Sequence, residues 1–306
     1  MPGQKDSTPV GPAPLTSVIT VNFNAGSALL AGVRSVLAST TPVEVVVVDN
    51  GSSDTSLSDL RAALAEEPRL TVIEAGRNLG FARASNIGLA RARGDLLLLL
   101  NPDCVIAPDT LARMRDTLAA HPEVGMAGCL ILNPDGTEQA GCRRSVPTPW
   151  RAFLRAFGLS RFFPHHQKLF NDYVLAREPL PERPVEVEAI SGAFMLVRPS
   201  ALAHIGPLDE RYFLHCEDLD WCMRFRQAGH PVLFVPDVAI VHDKGRCSRD
   251  HPFLVLWHMH KGMIRFYRKF FRHQYPRPFM WLVIAGIGIR LSALGTLTLL
   301  RRGRTR

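Results

Sequence analysis

The sequence predicts a doubly wound α/β sheet, and three observations carry the prediction. From residue 17 to residue 103, short apolar runs alternate with stretches of helical periodicity. Two of the runs, 43–48 and 96–100, are apolar at nearly every position, as befits strands buried on both faces of a parallel sheet. Three runs end in polar clusters, Asn22-Phe23-Asn24, Asp49-Asn50 and Asn101-Pro102-Asp103. Those ends are the carboxyl edge, where sheets of this kind bind ligands.

Taken in order, residues 1–15 are rich in Pro, Gly and Ser and read as a disordered leader without the apolar core of a secretory signal. Residues 17–21 are β-branched and form the first strand, stopped by the turn-prone stretch 22–26. Leu29, Leu30, Val33, Val36 and Leu37, spaced three and four apart, predict a helix. The strand at 43–48 runs into a loop at 49–54, followed by a helix over 57–65 and a strand over 70–74. A loop at 76–80, a helix at 81–93 stopped by Gly94, and a strand at 95–100 complete the alternation. The Pro- and aromatic-rich stretch 145–188 is expected to be an insertion over the site. Order resumes at 185–190, with a strand at 195–197, a helix entered near Asp218 and ending near 228, and strands at 230–236 and 239–242. The predicted organisation is therefore a leader (1–15), a folded domain (16–250) and a tail (251–306).

The chain has 306 residues, with 36 Lys or Arg against 28 Asp or Glu, a net charge of +8. Position matters more than the sum. Residues 244–306 hold 14 basic residues and a single acid, Asp250, so the tail carries +13 and the remainder −5. A mildly acidic body argues against nucleic acid as a partner. Six cysteines without a C-x-x-C pair exclude a zinc ribbon, give no disulfide framework, and point to a reducing compartment. No G-x-G-x-x-G follows the first strand, and neither a P-loop nor a G-x-S-x-G elbow is present.

The carboxylates at strand ends are the candidates for chemistry. On local grounds each has two readings. Asp103 can hold a hard divalent cation or merely open the turn before Pro108. His242 can join a metal site or be an ordinary strand-end histidine. Glu217 and Asp218 can act on a substrate or simply complement a helix N-terminus.

Six segments together resemble family-2 glycosyltransferases of the GT-A fold, particularly rhamnosyltransferase-like members. They are residues 18–24, 47–54, 76–86, 100–103, 191–194 and 206–224, and the resemblance spans roughly 16–250. It implies a mostly parallel GT-A sheet and transfer of a sugar, with inversion, from a nucleotide-sugar donor. Asp218 matches the catalytic base. Asn22, Phe23, Asn24, Asp49, Gly51, Asn78, Gly80, Arg83, Asn86 and Asn101 fall in donor-binding segments, with Phe23 stacking on the base and Asp49 bonding it. Ser191, Gly192 and Glu217 fall on the acceptor side. Asp103 and His242 match metal ligands for Mg²⁺ or Mn²⁺. Asn101 stands where the family's Asp-x-Asp has its first acid, which keeps open a second reading, a catalytically degenerate, membrane-tethered nucleotide-sugar-binding protein.

In the tail, Met263, Ile264, Phe266, Tyr267, Phe270 and Phe271 interleave with Lys261, Arg265, Arg268, Lys269 and Arg272. As a helix this has an aromatic face and a cationic flank, suited to a membrane interface or to packing on the domain. Residues 279–300 could just span about 30 Å of hydrocarbon. Arg290 sits at their middle, at a cost of about 2.5–3.5 kcal/mol. The expected arrangement is a monotopic or re-entrant hairpin on the cytoplasmic face of the inner membrane. An anionic membrane surface and a lipid-linked saccharide acceptor are the expected partners, and a homo-oligomer is compatible with the sequence.

Overall fold

The computed structural model of the chain describes residues 14–156, 175–243 and 252–303. Most of the expected leader, the centre of the 145–188 insertion and the 244–251 junction with Cys247 lie outside them. The first half follows the expected alternation: β1 (Thr16–Asn22), α1 (Ser27–Leu37), β2 (Val43–Asp49), α2 (Ser56–Ala63), β3 (Leu70–Glu74), α3 (Phe81–Arg91) and β4 (Leu96–Leu100). β1, β2 and β4 are buried at every residue, which is why β4 is all leucine and β2 is apolar except at Glu44 and its terminal Asp49.

The second half adds β5 (Cys104–Val105), α4 (Thr110–Ala120), β6 (Met126–Leu132), β7 (Arg143–Arg144), α5 (Pro149–Ala156), β8 (Val185–Glu186), β9 (Ala189–Ile190) and β10 (Phe194–Val197). After these come α6 (Pro199–Ile205), α7 (Glu217–Gln227), β11 (Val232–His242), α8 (Pro252–Phe270) and α9 (Arg277–Gly303). α4, β6 and α6 were not foreseen. β6, Met-Ala-Gly-Cys-Leu-Ile-Leu, has only one β-branched residue and so carries a weak strand signal.

Nine strands form one sheet in the order β3-β2-β1-β4-β10-β6-β11-β5, with β8 beside β11. β1, β2, β3 and β4 are parallel. β10 enters antiparallel between β4 and β6, which makes the sheet mixed but mostly parallel. Two expected strands, 230–236 and 239–242, prove to be the single strand β11, whose pairing with β6 shifts between Val235 and Ala239. Pro236 sits in that interval, where it has no amide to give the ladder.

The tail departs from the expectation of a membrane-facing aromatic stripe on its first helix. Phe266 and Tyr267 of α8 are fully buried and belong to the main core, with Phe271 just beyond them. His258 stacks on Phe213 at 4.3 Å between ring centres. Lys269 reaches Asp220 at 2.6 Å and Asp209 at 3.1 Å, so part of the tail's positive charge is spent on the body. α9 is different. Its stretch Arg277–Thr298 is long and apolar enough to cross a membrane, and Trp281, Leu282, Ile289 and Leu297 are exposed on it.

Candidate functional site

At the carboxyl edge, Asn22 and Asp49 are register partners on β1 and β2, and both are buried. Asn22 Nδ2 donates to Asp49 Oδ1 at 2.8 Å and to the hydroxyls of Ser52 and Ser56. Asp49 Oδ2 accepts the backbone amides of Gly51 and Ser52 at 3.3 and 3.2 Å. Asp49 thus braces its own loop, and a contact with a donor base would have to use the remaining lone pairs of the same oxygens. Asn24, at φ +54°, accepts the amides of Ser53 and Asp54 on Oδ1, tying the β1–α1 turn to the β2–α2 turn. Phe23 between them is half-buried, and its ring has no aromatic partner among the described residues.

The 76–80 loop closes over this edge. Gly51 has φ +80°, and a Cβ there would fall 2.8 Å from the Arg77 backbone, so only glycine fits. Asn78 Oδ1 accepts from Asn50 Nδ2 and from the Gly80 amide, both at 3.0 Å. Gly80 lies against Phe213, whose carbonyl accepts the Phe81 amide at 2.7 Å at the start of α3. Asn86 clamps the Leu208 backbone, donating at 2.9 Å and accepting at 3.0 Å. Arg83 is more than half exposed and 3.7 Å from Glu210, placed to meet phosphate only from solvent.

Asp103 and His242 come together from β4's end and β11. The Nε2 of His242 lies 3.1 Å from Asp103 Oδ1, and both residues are buried. Gln139 Nε2 donates to Asn133 Oδ1 at 3.0 Å and to the His242 carbonyl at 3.3 Å, so its Oε1 must face His242 Nδ1, at 2.7 Å. Nδ1 therefore carries the hydrogen, and a neutral ring presents a lone pair on Nε2 towards a carboxylate oxygen. Two acceptors at 3.1 Å need a cation or a proton between them, which is the fit expected of a metal pair. Cys104 lies within the same 4.8 Å cluster, but hard divalent cations prefer the oxygen and imidazole ligands. Asn101 directs Nδ2 to His242 Nε2 at 3.4 Å and supplies no charge.

The segment 191–193 joins this pair to the acids. The Asn101 amide donates to the Ala193 carbonyl at 3.1 Å, and the Gly192 amide to Asp218 Oδ2 at 3.3 Å. Ser191 holds the segment itself, donating its amide to the Cys142 carbonyl and accepting the Ala193 amide on Oγ. Asp218 Oδ2 is paired with the Arg144 guanidinium, which also donates to the Ile190 carbonyl at 2.9 Å. Burial pushes the Asp218 carboxyl up, but Arg144 outweighs it and the net shift is downward. Glu217 is 6 % exposed and its Oε2 has no partner among the described residues; burial, then the charge of Asp218, push it up to about 8. Two adjacent carboxyls are thereby driven apart, one ionised and one protonated at neutral pH.

The turn before them is unusual. His215 and Cys216 both have positive φ, +67° and +69°, a conformation that costs a non-glycine residue energy and needs support. Gly262 of α8 gives that support: a Cβ at 262 would be 2.9 Å from the His215 carbonyl. Arg144 and Gln139 were missed by sequence reasoning. The adjacent arginines 143 and 144 in an acidic body were a usable signal, whereas Gln139 offered none.

A mixed sheet of this order, with a carboxylate just after β4 and an acid pair leading a helix, is the arrangement of the GT-A fold. A mannosyltransferase from Pyrobaculum calidifontis, solved with GDP-Man and Mn²⁺, superposes with a TM-score of 0.59 at 20% identity, covering 98% of this chain and 84% of that one. The sequence profile of glycosyl transferase family 2 matches residues 17–202, and the chain belongs to that family. It is similar to N-acetylglucosaminyl-diphospho-decaprenol L-rhamnosyltransferase of Mycobacterium tuberculosis, 30% identical over 94% of this chain and 95% of that protein. Rhamnosyltransferase WbbL of Escherichia coli is 26% identical over 53% of this chain and 60% of its own length. The protein is a glycosyltransferase, and the family match and these relatives weigh against the catalytically degenerate alternative.

Proposed function

We propose that this glycosyltransferase moves rhamnose from dTDP-rhamnose, with inversion, to a lipid-linked saccharide in cell-envelope glycan synthesis. The observation that carries the transfer chemistry is the divided acid pair, held one short segment away from the Asp103–His242 pair. Asp218 takes the proton of the acceptor hydroxyl as the new C–O bond forms and the bond to the nucleotide diphosphate breaks on the opposite face. Glu217, protonated, orients the acceptor by donating a hydrogen bond. Asp103 and His242 would hold Mg²⁺ or Mn²⁺, which supplies charge neutralisation for the departing diphosphate. Mn²⁺ in the solved neighbours supports this choice of cofactor. The choice of sugar and of a prenyl-diphosphate-linked acceptor rests on the named activities of the relatives.

The exposed apolar face of α9 and the basic flank of α8 support a monotopic seat on the cytoplasmic face of the plasma membrane. Thermal-shift screening of the purified protein against nucleotide-sugars, with and without Mn²⁺, tests the reading. The largest stabilisation is expected with dTDP-rhamnose plus Mn²⁺, followed by transfer of labelled rhamnose to a prenyl-diphosphate GlcNAc. A protein that shifts with no nucleotide-sugar would sink it.

A further inference from the structure

α8, α9 and the 211–213 stretch enclose a cavity of about 590 Å³, outside the donor edge and the acid pair. One wall is apolar, built by Trp257 of α8 and by Ile287 and Leu291 of α9. The other is cationic. Lys261, Arg265 and Arg268 are spaced four and three apart on α8, so they share one face of the helix, and all three line the cavity. Their charges are not equally engaged. Arg265 pairs with Asp209 at 3.3 Å, and Arg211, on the same wall, pairs with Asp209 at 2.8 Å. Lys261 and Arg268 have no acidic partner among the described residues.

Two uncompensated cations beside an apolar wall select an amphiphilic anion. A free phosphate would leave the apolar wall wet, and a neutral lipid would leave the charges unanswered. We infer that this cavity binds the diphosphate and first prenyl units of the lipid-linked acceptor, an assignment that rests on the proposed transfer to such an acceptor. The volume suits a diphosphate with a short length of chain. The rest of the chain continues into the bilayer along the exposed Trp281 and Ile289 of α9. The cavity also shares its inner wall with the turn that leads to Glu217 and Asp218. Phe213 and Gly262 line it, Phe213 stacks on His258, and Gly262 abuts His215 and Cys216. A lipid diphosphate anchored there presents its sugar on the acceptor side of Asp218, while the donor enters over β1 and β2.

The experiment titrates the full chain in neutral detergent with farnesyl diphosphate by calorimetry. Lys261→Gln and Arg268→Gln are each expected to weaken binding about tenfold, corresponding to about 1.4 kcal/mol. Arg272→Gln, the same charge change outside the cavity, is expected to stay within twofold. Ile287→Asn should weaken farnesyl diphosphate more than inorganic diphosphate. Equal losses in all three charge variants overturn the site, as does inorganic diphosphate binding as tightly as farnesyl diphosphate. Phosphatidylglycerol vesicles whose binding falls in parallel with farnesyl diphosphate would assign the cavity to bulk lipid headgroups and overturn the acceptor reading. The dTDP-rhamnose thermal shift, read on the same proteins, separates the two proposals. A wild-type chain that binds farnesyl diphosphate but no nucleotide-sugar keeps the cavity and removes the proposed dTDP-rhamnose donor.

Discussion

On the donor edge, the braces are amides and hydroxyls gathered around one carboxylate, Asp49, and the cross-strand partners lie 27 to 34 residues apart, one strand–helix unit away. On the acid side, the braces are charges brought from much further along the chain. Arg144 reaches Asp218 across 74 residues, and Lys269 reaches Asp209 across 60. The first kind of construction is local, and its bonds can be lost one at a time. The second keeps a carboxylate ionised inside a buried setting, so it depends on compensation and fails together when a partner is lost.

Asp218→Asn sharpens the contrast most. Transfer should fall by about 10²–10⁴, the usual worth of a positioned base, while donor affinity stays within twofold; turnover near wild type would remove Asp218 from its role. Arg144→Met comes next, with a stability loss of about 3 kcal/mol in denaturant unfolding, because it strands a partly buried carboxylate. The sign of its pH effect is fixed. Arg144 holds the Asp218 carboxyl low, so without it the acid limb of kcat/KM must move to higher pH. A profile that does not move would mean that Asp218 is not the group being titrated.

Gln139→Leu should cost about 10–100-fold in Mn²⁺ affinity, measured by titration against donor-induced stabilisation, because it frees the His242 ring to turn. Glu217 tests pH from the other side. Its folded pKa lies above its unfolded value, so the stability it contributes is complete at low pH and is lost as pH rises through about 8. Glu217→Gln should flatten that decline in Tm, and a decline unchanged in the variant would assign it elsewhere. Asn24→Ala belongs to the donor edge and should cost only about 1 kcal/mol with no pH dependence; a larger or pH-dependent loss would blur the distinction between the two edges.

The same contrast explains what could be read from the sequence. β2 and β4 announce themselves because burial on both faces leaves almost only apolar residues, β1 because it is rich in β-branched ones, and their polar ends mark the edge. Asp103 and Asp218 were singled out because they fall within the six ordered segments, and His242 because it ends a strand beyond them, as the family resemblance implies. The hold of Asn86 on the Leu208 backbone was not legible, because an amide in a donor-lining stretch looks the same whichever group it bonds. Arg144 was missed because a two-residue strand, β7 paired with β9, delivers it, and two residues have no periodicity to read. The aromatics of α8 were assigned to a membrane because periodicity reveals an apolar face but not which apolar surface it meets.

That last point bears on how the protein can be shortened. A chain cut before Pro252, where the charge pattern suggests a boundary, would strip Phe266, Tyr267 and Phe271 from the core and uncover the surfaces they fill, with about 150–250 Å² carried by each aromatic. It would also remove Gly262 from beneath the left-handed turn and Lys269 from Asp220. A shortened form should keep α8 through Phe271, and even removing α9 has a cost, because its Met280 and Val283 are buried in the same core.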